Sequence, residues 1–165
     1  RSLQLVGGSI IWKHECTPAT LAVGDFTGDG RADLVSSAPE DRSGRTLAAW
    51  CSVAGSIFPK EQRTRILLPF APSAALLADV TGDAKADLLL VERAGERSVL
   101  HVHISNGDGT FRPAPPVPLA NLADVRIIAA ADFDRDGKTD LALHDEGRGV
   151  GILFGDGTGR FGNRR

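Results

Sequence analysis

Ten residues near the end of the chain carry acidic side chains at alternating positions. The stretch from Asp132 to Leu141 reads DFDRDGKTDL, with aspartate at positions 1, 3, 5 and 9 and glycine at position 6. Calcium is a hard cation that takes several oxygen ligands, and a short loop of alternate carboxylates supplies them if the backbone turns sharply at position 6. The predicted ligands are the side chains of Asp132, Asp134, Asp136 and Asp140 and the backbone carbonyl of Lys138, whose side chain is expected to point to water.

The same pattern occurs twice more, beginning at Asp25 and at Asp79. The loops therefore recur after 54 and 53 residues (79 − 25 and 132 − 79). A near-constant period of this length is typical of repeat proteins, in which each repeat is one supersecondary unit. The ligands predicted in these two loops are Asp25, Thr27, Asp29, Arg31 and Asp33, and Asp79, Thr81, Asp83, Lys85 and Asp87.

The three loops differ in the ligands that they offer. The loops at Asp25 and Asp79 have threonine at position 3, so each has one carboxylate fewer than the Asp132 loop. The Asp79 loop also has Ala84 at position 6, where glycine is expected because the backbone takes a positive φ. We therefore expect the Asp132 loop to bind calcium best and the Asp79 loop least. The alternative is that each loop is only a polar turn, since Asp and Gly favour turns without metal, but three copies in register favour the metal.

An EF-hand begins with the same spacing, but it needs a glutamate at position 12 and a helix after the loop. Position 12 is Ser36, Leu90 or Leu143 here. The segments on both sides of each loop are short and apolar, which is typical of strands. The predicted ion therefore holds a strand-loop-strand connection.

The three loops, together with the turns NGDGTF at 106–111 and FGDGTGRF at 154–161, resemble FG-GAP or VCBS repeats. The resemblance covers most of the chain. It implies an all-β fold made of β-propeller blades of four antiparallel strands, like those of integrin α-subunits and many secreted bacterial proteins. It also implies calcium as the cofactor, with two to three ions for these three loops.

On this interpretation the chain holds about three blades of a partial propeller. Residues 1–15 form half a blade, 16–70 and 71–122 one blade each, and 123–165 an incomplete blade. The predicted strands are 2–6, 10–15, 21–24, 33–37, 46–53, 63–68, 74–78, 87–92, 99–105, one after Phe111, 126–131, 140–145 and 149–154. The proline-rich stretch 113–118 is placed at an edge or a crossover, because proline lacks the ladder donor. Unpaired edges predict further blades, from the same or another chain, as partners.

Composition argues against two classes of partner. The formal net charge is −2, with acidic residues concentrated in the loops, so neither nucleic acid nor an anionic membrane is favoured. No apolar run approaches the ~20 residues that span a bilayer. The sequence from Arg1 has no signal-peptide pattern, so we expect a secreted protein to have lost its signal already.

Isolated residues outside the loops have more than one interpretation. Cys16 and Cys51 form either a disulfide or two buried free thiols. His101 and His103 share one face of a strand, as a transition-metal pair would, but no third ligand is evident nearby, so a solvated strand face is expected. Trp12 and Trp50 are expected to pack between neighbouring blades rather than to stack on carbohydrate.

Enzyme signatures are absent from the sequence, which has no GxSxG, HExxH or Walker motif. The glycine-rich stretch 147–151 is expected to be a hairpin turn because no helix follows it. We therefore expect a non-catalytic, calcium-binding extracellular module for adhesion or assembly, with an extracellular protein or a glycan as ligand. The alternatives are the propeller part of a secreted enzyme, such as a polysaccharide lyase or phospholipase, and a lectin.

Overall fold

The computed structural model describes residues 4–6, 9–11, 20–38, 40–54, 63–119, 122 and 124–162. Every regular element within these ranges is a β-strand. The first two, β1 (Gln4–Val6) and β2 (Ser9–Ile11), form an antiparallel hairpin. Two strands were predicted here, and their remaining residues lie outside the described ranges. No helix in the described part of the chain is long and apolar enough to cross a membrane.

Blade 1 is the sheet of β3 (Leu21–Gly24), β4 (Asp33–Ser37), β5 (Thr46–Trp50) and β6 (Arg63–Leu67). The strands pair antiparallel in chain order. Successive residues of β4 and β5 point to opposite faces, and nearly all of them are buried, so the two central strands are covered on both sides. Leu21 and Val23 of β3 and Leu67 of β6 are exposed by more than half on the face that points away from blade 2.

Blade 2 contains β7 (Pro72–Ala78), β8 (Asp87–Ala94) and β9 (Arg97–Ser105). Two short strands, β10 (Phe111–Pro113) and β11 (Val117–Leu119), both pair with the outer edge of β9. The outer strand is thus broken where the prolines lie, because proline cannot donate to the ladder. The edge placement predicted for this stretch is confirmed.

Blade 3 consists of β12 (Val125–Ala131), β13 (Asp140–Asp145), β14 (Gly149–Gly155) and β15 (Phe161–Gly162). The strands again pair antiparallel in chain order, with a bulge between Ile127 and Ala129. The glycine-rich stretch 147–151 includes the turn between β13 and β14, so the hairpin interpretation is confirmed.

Two apolar cores lie between the blades. The core between blades 1 and 2 includes Phe26, Phe70 and Leu88, and the core between blades 2 and 3 includes Leu89 and Leu141. Strand β8 contributes to both cores, which explains its continuous apolar run at 88–91. The inner strand β7 contacts both β3 and β12. The fold is therefore all-β, with propeller-like blades packed face to face, as predicted.

Blade 3 has one packed face and one open face. The residue at loop position 2 is fully buried in blade 1 (Phe26, 0% exposed) and in blade 2 (Val80, 2%), but Phe133 of blade 3 is 46% exposed. Phe26 packs edge-on against Phe111 of blade 2, with ring centroids 5.3 Å apart. Val80 lies in the core between blades 2 and 3. Phe133 therefore presents to solvent the position that the next blade covers in the other two repeats.

Candidate metal site

Each loop begins with an aspartate that folds the loop around its own carboxylate. The first aspartate follows β3, β7 or β12 directly. In the Asp25 loop, Oδ1 accepts the N–H of Gly28 and Oδ2 accepts the N–H of Gly30, each at 2.7 Å. The corresponding distances are 2.7 and 2.8 Å in the Asp79 loop and 2.6 and 2.9 Å in the Asp132 loop. Burial raises the pKa of Asp25, but the three N–H groups that it accepts lower it below its ordinary value.

The aspartate at position 9 is fully buried in all three loops. In blade 2, Asp87 accepts the N–H of Val80 at 3.0 Å and, with its other oxygen, the N–H of Ser105 at 2.9 Å. The equivalent pairs of N–H groups belong to Phe26 and Ser52 for Asp33, and to Phe133 and Gly155 for Asp140. Each of these aspartates therefore fastens its loop to the end of the third strand. The sequence pattern did not indicate this role.

The turns require a positive φ at two loop positions. Position 6 has φ values of 81° at Gly30, 64° at Ala84 and 83° at Gly137. The positive φ expected at Ala84 is confirmed, so an alanine adopts a conformation that favours glycine. Position 4 also has a positive φ, and there the non-glycine residue is Arg135, at 66°. The glycines at position 4 of the other two loops indicate that this position takes a positive φ, so the sequence contained a signal for the strain at Arg135.

Three carboxylates converge in the Asp132 loop. Asp132, Asp134 and Asp136 each place an oxygen within 4.8 Å of the others, and the described residues contain no second such group of Asp, Glu, His or Cys. In the other loops the threonine at position 3 instead donates its hydroxyl to the buried aspartate, at 3.0 Å from Thr27 and 3.2 Å from Thr81. A cluster of carboxylate oxygens is the donor set that a hard cation such as calcium requires.

The basic residue at position 7 bonds to the aspartate two residues before it in every loop. Nζ of Lys138 lies 3.2 Å from Oδ2 of Asp136. The Lys138 side chain is 43% exposed, in line with the prediction that it points to water, but the acidic loop also attracts its ammonium group, which was not predicted. The same contact joins Lys85 to Asp83 at 2.9 Å, and its hydrogen bond raises the pKa of Lys85 and lowers that of Asp83. The three backbone carbonyls predicted as ligands are those of Arg31, Lys85 and Lys138.

The prediction that the histidine pair lies on a solvated strand face is wrong. The ring of His101 stacks on Phe70 with centroids 4.2 Å apart, and its Nε2 lies 2.9 Å from Glu92. His103 is half-buried, and burial together with the neighbouring His101 lowers its pKa. The prediction failed because strand alternation identifies a shared face but not what covers it. Here Phe70, in the segment between β6 and β7, covers the ring of His101.

Two of the remaining candidates, Trp50 and Cys51, lie in the described part of the chain. Trp50 is buried with Leu34 and Ala48 of its own blade, and its indole N–H donates to Ser36 at 3.2 Å. The prediction that it packs rather than forming an exposed stacking platform is confirmed, and its packing against a neighbouring blade stays a prediction. Cys51 is a half-buried free thiol whose pKa is raised by burial and by the charge of Asp33. Trp12 and Cys16 lie outside the described residues.

Two family models match the chain. One, described as an FG-GAP-like repeat, matches residues 79–143, which contain the Asp79 and Asp132 loops. The other, described as an FG-GAP repeat, matches residues 17–46, which contain the Asp25 loop. No curated protein matches the chain.

Proposed function

The chain belongs to the FG-GAP repeat family, and we propose that it is a calcium-binding, non-catalytic module of an extracellular protein, used for adhesion or protein assembly. FG-GAP repeats suggest a propeller-like module and are generally non-catalytic. The observation that carries the calcium proposal is the convergence of the carboxylates of Asp132, Asp134 and Asp136 within 4.8 Å.

A calcium ion in the Asp132 loop would be held by these three carboxylates, by the carbonyl of Lys138 and by the predicted ligand Asp140, whose oxygens also accept the N–H groups of Phe133 and Gly155. Like charges this close together repel one another, so a dication stabilises the loop by offsetting the repulsion. Because the loop joins β12 to β13, the ion would hold the first two strands of the blade together. The Asp25 and Asp79 loops would bind more weakly, since each has a threonine in place of one carboxylate.

The affinity expected of such a site supports an extracellular location. The loop is short and mostly exposed, and calcium sites of extracellular modules have dissociation constants of about 10⁻⁴ to 10⁻³ M. Sites of this strength are filled only where calcium is abundant, which supports a position outside the cell.

Calorimetry and thermal unfolding of the chelator-treated chain test the calcium proposal. Titration with calcium chloride should show saturable binding that Asp136→Ala weakens more than Asp83→Ala does. Calcium at 100 times its dissociation constant should raise the unfolding midpoint by roughly 5 °C or more. The control is magnesium chloride at the same concentration, which we expect to bind less because it demands a stricter geometry. Absence of both binding and a shift would contradict the proposal.

The open face of blade 3 supports a partner for assembly. Phe133 and Val150 are both exposed there, whereas Phe26 and Val80 are covered by the following blade. The proposed partner is a further blade of the same repeat type, from a copy of this chain or from another chain. Light scattering in calcium should detect self-association that Phe133→Ser reduces and that Ala94→Ser, at an exposed residue of β8 in blade 2, does not. A stable monomer at high concentration would contradict association with a copy.

A further inference from the structure

The residue at loop position 7 holds the same aspartate in all three repeats by two separate bonds. Its backbone N–H donates to Oδ1 of the aspartate at position 5, at 2.9 to 3.0 Å. Its side-chain cation reaches Oδ2 of the same aspartate, at 2.8 Å in the Arg31–Asp29 pair, 2.9 Å in the Lys85–Asp83 pair and 3.2 Å in the Lys138–Asp136 pair. The contact therefore recurs with both Lys and Arg.

A cation tethered at this position serves the same electrostatic purpose as a metal ion. The acidic loop needs positive charge to offset its clustered carboxylates, and an ammonium or guanidinium group one hydrogen bond away supplies part of it. A calcium ion would use the carboxylate of the aspartate at position 5 as a ligand. The side chain and the ion thus compete for the attraction of one carboxylate.

We propose that the basic residue at position 7 is a tethered counter-ion, which stabilises the metal-free loop and lowers the affinity of the same loop for calcium. This inference rests on the proposed calcium site. It assigns opposite effects to one contact: removing the cation makes the metal-free loop less stable and the calcium complex tighter.

The counter-ion is held most firmly in the Asp79 loop. The methylene groups of Lys85 lie against the backbone of Gly28 in blade 1 and of Gly107 in blade 2, so that a Cβ at either glycine would approach them to 3.1 and 3.0 Å. Among the described glycines, Lys138 has one such contact, with Gly157 of its own blade. Lys85 is also the least exposed of the three basic residues. The Asp79 loop, with the weaker ligand set, is therefore the one best neutralised by the chain itself.

The size of the effect follows from the exposure of the pair. Ion pairs between exposed side chains contribute about 0 to 1 kcal/mol, which corresponds to at most about a fivefold change in a binding constant. We therefore expect Lys138→Gln to tighten calcium binding at the Asp132 loop by about two- to fivefold. The longer methylene stem of glutamine, compared with alanine, keeps part of the packing on Gly157.

The test compares three variants of the full chain by calcium calorimetry and by unfolding in chelator. Lys138→Gln should bind calcium more tightly and unfold at a lower temperature in chelator, whereas Lys138→Arg, which keeps the cation, should match the parent in both measurements. Arg126→Gln is the matched control, because it removes one positive charge from an exposed residue of β12. Arg31→Gln repeats the measurement in the Asp25 loop, so the comparison does not depend on one variant.

Unchanged or weaker calcium binding by Lys138→Gln and Arg31→Gln, in a parent chain that does bind calcium, would overturn the counter-ion inference alone. An equal gain in Arg126→Gln would overturn it too, since the effect would then come from overall charge. A parent chain that binds no calcium would overturn the proposed site, and the inference with it.

Discussion

Blades 2 and 3 share one repeat but differ in their surroundings and in their ligands. Blade 2 is packed on both faces, whereas blade 3 leaves Phe133 exposed on an open face. The loop of blade 3 has the larger set of ligands, because it has carboxylates at positions 1, 3 and 5 and they converge, whereas the loop of blade 2 has Thr81 at position 3. In spite of these differences, the buried aspartates Asp87 and Asp140 each accept two N–H groups from equivalent positions of their own blades.

The comparison separates two tasks within one ten-residue loop. The first and ninth aspartates build the connection by accepting backbone N–H groups, and this arrangement is the same whatever residue stands at position 3. Position 3 sets how many carboxylates face a cation, because positions 1 and 5 are aspartate in every loop. A loop can therefore lose ligands, as the Asp79 loop has done relative to the Asp132 loop, and still connect its strands.

The largest effect is expected from removing the buried aspartate of either blade. Asp87→Ala and Asp140→Ala each leave two backbone N–H groups without their acceptor, and an unsatisfied buried donor costs about 1 to 3 kcal/mol. We expect each variant to lose about 3 kcal/mol of unfolding free energy in chelator, measured by urea denaturation. Glu146→Ala, at an exposed residue of the β13–β14 turn, is the control and should change little. A large loss in one blade only would show that the two scaffolds are not equivalent.

Exchanging the residues at position 3 should exchange the calcium affinities of the loops. Asp134→Thr removes a carboxylate from the converging group, and we expect affinity at the Asp132 loop to fall about tenfold, or about 1.4 kcal/mol. Thr81→Asp should raise affinity at the Asp79 loop. It should also lower metal-free stability, because Thr81 no longer donates to Asp87 and a second carboxylate approaches it. Calorimetry in parallel with unfolding in chelator checks both. Equal affinities in all variants would remove position 3 from the ligand set.

Much of the fold could be predicted because its information is local. Strand alternation and the repeated loop located β4 and β13 at their observed bounds. The bond between Asp87 and the end of the third strand could not be predicted from the sequence. The Ser105 N–H that Asp87 accepts lies 18 residues away, and the contact depends on strand register. Arg135 could have been recognised as strained by aligning it with Gly28 and Gly82. Whether calcium binds remains a prediction.

Relieving backbone strain should stabilise the Asp79 loop at position 6 and the Asp132 loop at position 4. Ala84→Gly and Arg135→Gly each place glycine at a positive φ, and the left-handed conformation costs other residues about 1 to 2 kcal/mol. We expect a gain of about 1 kcal/mol from each in chelator, because glycine also loses more backbone entropy on folding. Ala32→Gly is the matched control: it alters an exposed loop alanine without a positive φ and should cost about 0.5 to 1 kcal/mol. A loss in Ala84→Gly would mean that its side chain contributes more than its strain costs.

The smallest expected difference between the blades is a dependence on pH. His103 of blade 2 pairs with Leu88, whereas the equivalent partner of Leu141 in blade 3 is Leu153. Burial, and then the neighbouring His101, lower the pKa of His103 below its ordinary value of 6.5. The unfolded chain therefore binds a proton at a higher pH than the folded chain does. The stability contributed by the neutral ring is complete above the unfolded pKa of about 6.5 and declines as the pH falls below it.

His103→Leu gives blade 2 the residue of blade 3 and should remove this part of the pH dependence. The measurement is urea unfolding of parent and variant from about pH 8 to about pH 5, and the informative quantity is how their difference in unfolding free energy changes with pH. We expect the variant to gain on the parent as the pH falls, because the parent alone must then bury a group that its unfolded state prefers to protonate. Carboxylates common to both chains cancel in this difference. A difference that stays constant over the range would show that His103 keeps an ordinary pKa in the folded blade.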